Sequence, residues 1–292
     1  MPDLYEFNIE GHTLAALPIN PGASGEPVIL LHGITSSVYT WLVDPWPVLL
    51  EQGPCYALSL PGHYPARFPP GFRREQLTAE MMARILIAAI RQLAGDRPVT
   101  LIGHSTGGFA ALDIAAHTPE IASRVVSIAG FARGRWIGNL GLAQRAVRLG
   151  PPGLAYFKLL YKLLGMHRAL YRWAMRFYVA DAAAFYAYPD LQEAVERTFL
   201  PFRQLDLDAM AHYFYTMPQT DISDLLPRIT VATLVIAGDR DPIVPPEQSR
   251  LIADRVSNAE LALMPGAGHM PFVERADDYQ QALGDWLRRT RQ

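Results

Sequence analysis

Apolar and polar positions along the chain follow two rhythms. Tyr5, Phe7 and Ile9 alternate with polar neighbours, Glu10-Gly11 offers a turn, and residues 13–17 return, which predicts a β-hairpin. Short unbroken apolar runs follow at 27–31, 55–60, 99–102, 125–129, 231–237 and 261–264. Runs of that length without alternation predict strands buried on both faces. Stretches of helical length lie between them, notably 76–93 and 108–117. Strands alternating with helices predict an α/β chain with a mostly parallel, doubly wound sheet.

One long stretch breaks the rhythm. Between residues 133 and 226 no buried-strand run occurs, and the segment is helical in length and rich in aromatics. Pro151-Pro152-Gly153, Pro189-Asp190, Pro201 and Pro218 divide it into pieces. It is too long to be a loop within a compact domain. The expectation is a helical cap, 133–226, inserted into an α/β core formed by 1–132 and 227–292.

Composition narrows the classes. Half of the 292 residues are hydrophobic and 18% are charged, enough for a sizeable core. A formal net charge of −2 gives no bulk electrostatic reason to expect nucleic acid as a partner. The single cysteine, Cys55, allows no internal disulfide and no thiolate cluster for zinc. The first residues lack a basic stretch leading into an apolar run, and no run of about 18 apolar residues could span a bilayer. The expected setting is a soluble one in a reducing compartment, the cytoplasm.

Candidate chemistry begins at Gly103-His104-Ser105-Thr106-Gly107, the one Gly-x-Ser-x-Gly in the chain. It follows the apolar run 99–102 and precedes a helix opening at Gly108, the strand–turn–helix setting of a nucleophile elbow. A serine hydroxyl is weakly nucleophilic at neutral pH and needs a base beside it. His269, in the glycine-rich stretch Gly266-Ala267-Gly268-His269 after the last strand run, is the best-placed imidazole. His104 and His32 sit against turn glycines where structural hydrogen bonding is the plainer reading, and the other five histidines are scattered. An acid must orient the base. Run 231–237 ends in Gly238-Asp239-Arg240-Asp241, and either carboxylate could serve.

Taken in order, Leu31-His32-Gly33-Ile34, Ser59-Leu60-Pro61-Gly62-His63, the elbow, Gly238 to Asp241 and Gly266 to His269 resemble the α/β-hydrolase fold superfamily. The resemblance implies a Ser105–Asp241–His269 triad, the acid standing three residues after the strand-end glycine, which selects Asp241 over Asp239. It also implies an oxyanion hole from the backbone N–H groups of Ile34 and Thr106. Relatives of this fold that act as haloalkane dehalogenases or epoxide hydrolases carry aspartate where Ser105 stands. Acyl-enzyme chemistry on a small apolar ester, without metal or organic cofactor, is therefore the expectation. A thioesterase, a lactonase, a carbon–carbon bond hydrolase or a ligand receptor on the same fold are the alternatives.

The insertion carries an unusual charge pattern. Residues 121–180 contain ten Lys or Arg and no Asp or Glu, interleaved with apolar and aromatic residues. Lys158 and Lys162 share one helical face, as do Arg168, Arg172 and Arg176. Such helices suit a solvated face over the site, pairing with the acid-rich residues that follow, an anionic substrate, or transient contact with a lipid surface. The Tyr, Phe, Leu and Met content points to an apolar acyl or aromatic substrate portion. The oligomeric state is left open.

Overall fold

A computed structural model describes residues 3–43 and 47–291. Its eight strands are β1 (Tyr5–Ile9), β2 (His12–Pro18), β3 (Val28–Leu31), β4 (Cys55–Leu58), β5 (Val99–His104), β6 (Ala122–Ile128), β7 (Ala232–Gly238) and β8 (Ala259–Met264). They form one sheet in the order β1-β2-β4-β3-β5-β6-β7-β8. The hairpin β1–β2 and the β2–β4 pair are antiparallel, and every other neighbour is parallel. Glu10 at φ 52° and Gly11 at φ 82° make the tight turn, the left-handed pair that a two-residue hairpin loop requires. The unbroken runs became central strands: all four residues of β3 and of β4 are buried. Strand β8, at the edge, exposes Glu260 and Leu261.

Helices cover both faces. In the first half of the chain these are α1 (Pro47–Leu50), α2 (Ala79–Ala94) and α3 (Thr106–His117). The Thr78 hydroxyl accepts the Met81 N–H at 3.1 Å to cap α2, which buries Met82, Ile85, Leu86, Ala89 and Ile90 along one stripe. Next come α4 (Gly138–Val147), α5 (Pro151–Leu164), α6 (Arg168–Met175), α7 (Ala182–Ala187), α8 (Leu191–Arg203) and α9 (Leu207–Thr216), all between β6 and β7. The ends of this insertion meet: Arg133 and Asp221 form a bridge, and the Ile222 N–H donates to the Ala132 carbonyl at 3.0 Å. The Tyr213 hydroxyl of α9 donates to the Pro61 carbonyl at 2.8 Å, docking the insertion on the loop after β4. The chain closes with α10 (Pro246–Arg255), α11 (Pro271–Glu274) and α12 (Ala276–Arg289), the last burying Tyr279, Leu283, Trp286 and Leu287 against the second sheet face. No helix among the described residues is long and apolar enough to cross a membrane.

Several boundaries differ from the pattern reading by two or three residues, among them the starts of β6 and β8, and two have a local cause. Strand β4 ends at Leu58 rather than residue 60: the Ser59 N–H still donates to the Ala15 carbonyl at 2.9 Å, but the return bond from the Ala15 N–H goes to Ser59 Oγ at 2.8 Å instead of to a backbone carbonyl. Helix α3 starts at Thr106 rather than 108, so Gly107 and Gly108 lie inside it. A Cβ on Gly107 would stand 2.1 Å from the Leu31 carbonyl oxygen, so the glycine permits the helix to press on β3.

Candidate active site

Strand β5 runs directly into α3, and Ser105 occupies the corner with φ 55° and ψ −116°. A non-glycine residue there costs on the order of 1–3 kcal/mol and persists only where its surroundings hold it. Two backbone bonds do so: the Ser105 N–H donates to Ile128 at 2.8 Å, and the Ser105 carbonyl accepts the Phe109 N–H at 3.0 Å. A Cβ on Gly103 would lie 2.0 Å from the Gly107 carbonyl, which makes glycine obligatory on that side of the turn.

The structure brings Asp241 and His269 together. His269 Nδ1–H donates to Asp241 Oδ2 at 2.7 Å, and both side chains are buried. The other carboxylate oxygen accepts the N–H groups of Ile243 and Val244 at 2.8 and 2.9 Å. Asp241 is thereby locked at the carboxyl end of β7, and the proton on Nδ1 leaves His269 Nε2 free to act as a base. Asp239, the rival carboxylate, turns away and accepts the Gly266 N–H at 2.7 Å, bracing the loop that carries the histidine.

Three other histidines of this region, His32, His63 and the half-buried His104, are held neutral because desolvation disfavours the charged ring. His104, pushed down to about 3, donates Nε2–H to the His269 carbonyl at 3.0 Å. His32, pushed down to about 4, donates Nδ1–H to the Gly33 carbonyl at 2.9 Å and accepts the Leu60 N–H on Nε2 at 3.2 Å. His63 is also depressed and lies edge-on to His32 and Tyr213. His32 therefore shapes the turn Gly33-Ile34-Thr35, where Thr35 sits at φ 55°. Among the described residues the backbone N–H groups of Ile34 and Thr106 carry no hydrogen bond. The Thr106 side chain is buried away from the cavity, and its hydroxyl has no hydrogen-bond partner among the described residues.

Ser105, His269, Gly33 and Ile34 line one cavity of about 170 Å³ beneath the insertion. Its far walls are apolar: Leu140 from α4, Leu160 and Leu164 from α5, Met175 from α6 and Phe202 from α8. Three tyrosines add polar tips. The hydroxyls of Tyr161 and Tyr178 lie towards the Thr35 side chain, and that of Tyr171 towards Thr198. Burial pushes Tyr171 and Tyr178 up to about 12, so both are neutral hydrogen-bonding groups at ordinary pH. Cys55 lies buried in β4, its thiol pushed up to about 12 by burial, and does not line the cavity.

Sequence reasoning does not single out Glu274, yet it joins three segments around the base. Its Oε1 accepts the Gly268 N–H at 2.9 Å, and Oε2 accepts the N–H groups of Ala180 and Asp181, both at 2.8 Å. Beside it the His269 N–H donates to the Tyr178 carbonyl at 2.9 Å. The only sequence signal is an acid placed five residues after His269 in an otherwise apolar run.

The alpha/beta hydrolase family model matches residues 28–282, and the chain belongs to that family. Among curated proteins it is similar to a pimeloyl-[acyl-carrier protein] methyl ester esterase of Neisseria meningitidis serogroup A, 28% identical over 269 residues, covering 89% of this chain and 76% of that one. Among solved structures, the enol-lactonase of Burkholderia xenovorans aligns with TM-score 0.76 at 18% identity, over 97% of this chain and 100% of that one. An esterase of Thermogutta terrifontis aligns with TM-score 0.74 at 21% identity, over 99% and 100%. Both structures share this fold.

Proposed function

We propose that the protein is a serine ester hydrolase with Ser105 as nucleophile, His269 as general base and Asp241 as the acid that orients it. The observation carrying this reading is the 2.7 Å Asp241–His269 bond at the wall of the cavity that Ser105 lines from its strained corner. The ester activity in the name of the Neisseria relative agrees with it. Residues 133–226 act as a cap whose inner surface holds the apolar part of the substrate.

In the first half-reaction Ser105 Oγ attacks the ester carbonyl carbon while His269 Nε2 takes the hydroxyl proton. The carbonyl oxygen becomes an oxyanion facing the free N–H groups of Ile34 and Thr106; two such donors acting together are worth several kcal/mol in turnover, roughly 10²–10³ each. Asp241 stabilises the imidazolium. The carbon–oxygen bond to the alcohol then breaks, and His269 returns the proton to that alcohol, leaving an acyl-serine. Water, deprotonated by the same imidazole, releases the acid and restores Ser105.

The apolar walls favour an apolar acyl or aromatic portion, with the tyrosine hydroxyls offering polar contacts along it. Steady-state hydrolysis of p-nitrophenyl esters from acetate to palmitate tests the reading. Wild type should turn over, and Ser105→Ala should lose about 10⁶ in kcat. If no ester of the series is turned over, the ester reading fails, and carbon–carbon cleavage or a receptor role replaces it.

A further inference from the structure

Helix α5 is apolar on two sides. Phe157 and Tyr161 point inward and are buried, while Tyr156, Leu159 and Leu163, on another face at helical spacing, are 61%, 56% and 45% exposed. The pattern continues through the following turn, where Met166 is 71% exposed, into α6 and the turn after it, where Leu170, Trp173 and Phe177 are exposed at spacings of three and four. Trp173 and Phe177 pack edge-to-face, with ring centroids 4.8 Å apart. Arg172 and Arg176 lie along a separate stripe of α6, and Lys162 flanks the apolar face of α5. None of these three cations, nor Arg145 of α4, has a carboxylate within salt-bridge distance among the described residues, and Arg176 lies over the Phe177 ring at 5.3 Å.

We propose that this outward face of α5 and α6 docks on an anionic lipid surface. Large exposed apolar side chains beside unpaired cations are the composition of an interfacial helix: the side chains enter the acyl boundary while the cations meet lipid phosphates. A second copy of the chain fits poorly, because a two-fold contact would set the same unpaired cations against themselves. An acidic protein would answer the charges but not the protruding Leu, Trp and Phe side chains, which form no groove. Leu160 is both 36% exposed and part of the cavity wall, so the docked face adjoins the cavity. The docking itself does not depend on the ester reading.

The test is co-sedimentation of the full chain with vesicles of phosphatidylcholine alone and of phosphatidylcholine with phosphatidylglycerol, at about 0.05 M and about 0.5 M salt. Binding should appear on the anionic vesicles and weaken in salt. Each cation near such a surface is worth about fivefold in affinity, so Lys162→Glu with Arg172→Glu should weaken binding at least tenfold. Leu163→Ser with Trp173→Ser should weaken it at high salt as well. Neither pair lines the cavity, so hydrolysis of a short soluble ester should be unchanged, which also shows the variants fold. Trp173→Phe should abolish the blue shift of tryptophan emission on adding anionic vesicles. Absence of binding, equal binding to neutral vesicles without salt dependence, or a stable dimer broken by the Leu163 and Trp173 changes would each overturn the proposal.

Discussion

At the scale of single residues, the candidate site is a matter of which of several similar groups is aimed where. Two carboxylates stand two residues apart at the end of β7, but only Asp241 reaches an imidazole, while Asp239 is spent on the Gly266 N–H. Four histidines, three of them buried and His104 half-buried, lie near the sheet's carboxyl edge, and desolvation holds His32, His63 and His104 neutral in structural hydrogen bonds. Asp241→Asn tests the assignment sharply. The amide can keep its oxygen on the Ile243 and Val244 N–H groups, but it offers an N–H to His269 Nδ1 and so drives the ring proton to Nε2. An imidazole protonated there cannot accept the serine proton, and kcat should fall by about 10⁴ with little change in unfolding temperature. A loss under tenfold in kcat for p-nitrophenyl butyrate would remove Asp241 from the role.

At the scale of elements, the short helix α11 matters beyond its length. Its last residue, Glu274, fastens the base loop at Gly268 to the segment between α6 and α7 at Ala180 and Asp181. Arg275 strengthens the join through Asp181 at 3.0 Å. Burial raises the Glu274 carboxyl, while the backbone N–H groups of Asp181, Gly268, Ala180 and Met270 pull it back down. In Glu274→Gln one oxygen becomes an NH₂ that cannot accept, so at least one buried N–H loses its partner. The expected cost is about 1–3 kcal/mol of stability, read by denaturant titration. A fall in kcat should accompany it, because the same bonds set the position of His269. Unchanged stability and kcat would mean that the three segments hold together without the carboxylate.

Over the whole molecule, the buried histidines couple stability to pH. His32 and His104 titrate at about 4 and about 3 in the fold against about 6.5 unfolded, and His63 is depressed in the same way, each because burial disfavours the charged ring. Below 6.5 the unfolded chain binds protons that the folded chain refuses, so stability present above 6.5 is lost as pH falls towards 3–4. Each such ring contributes up to ~1.4 kcal/mol per pH unit in that window. Asp113, raised to about 6 by burial, and Glu274, raised more modestly, act oppositely, because their folded forms hold protons longer. Burial depresses His12 and His212 as well, so the rings outweigh the two raised carboxyls. The unfolding temperature should therefore drop steeply between pH 6.5 and 4.5, and His32→Asn should flatten the slope if it folds. A transition temperature that is level or rises on acidification would contradict this account.

The succession of strands and helices and the strand–turn–helix around Ser105 could be read from the chain alone, because each rests on local chemistry. Unbroken apolar runs can only be satisfied in a sheet covered on both faces, and Gly103 and Gly107 are demanded by backbone atoms a few residues away or on the next strand. What periodicity and motif could not supply was anything made by groups far apart in sequence. The residues themselves left Asp239 and Asp241 open, both being aspartates at one strand end, and only the spacing that the resemblance implies selected Asp241; the imidazole that Asp241 meets comes from a loop 28 positions on. Glu274 looked like one acid among many until the fold brought the Ala180 and Asp181 N–H groups, 94 and 93 positions away, onto its oxygen. Which apolar side of α5 stays exposed could not be read for the same reason. A helix apolar on two sides shows its inner face only when Phe157 and Tyr161 have been packed away, and tertiary structure alone decides which side that is.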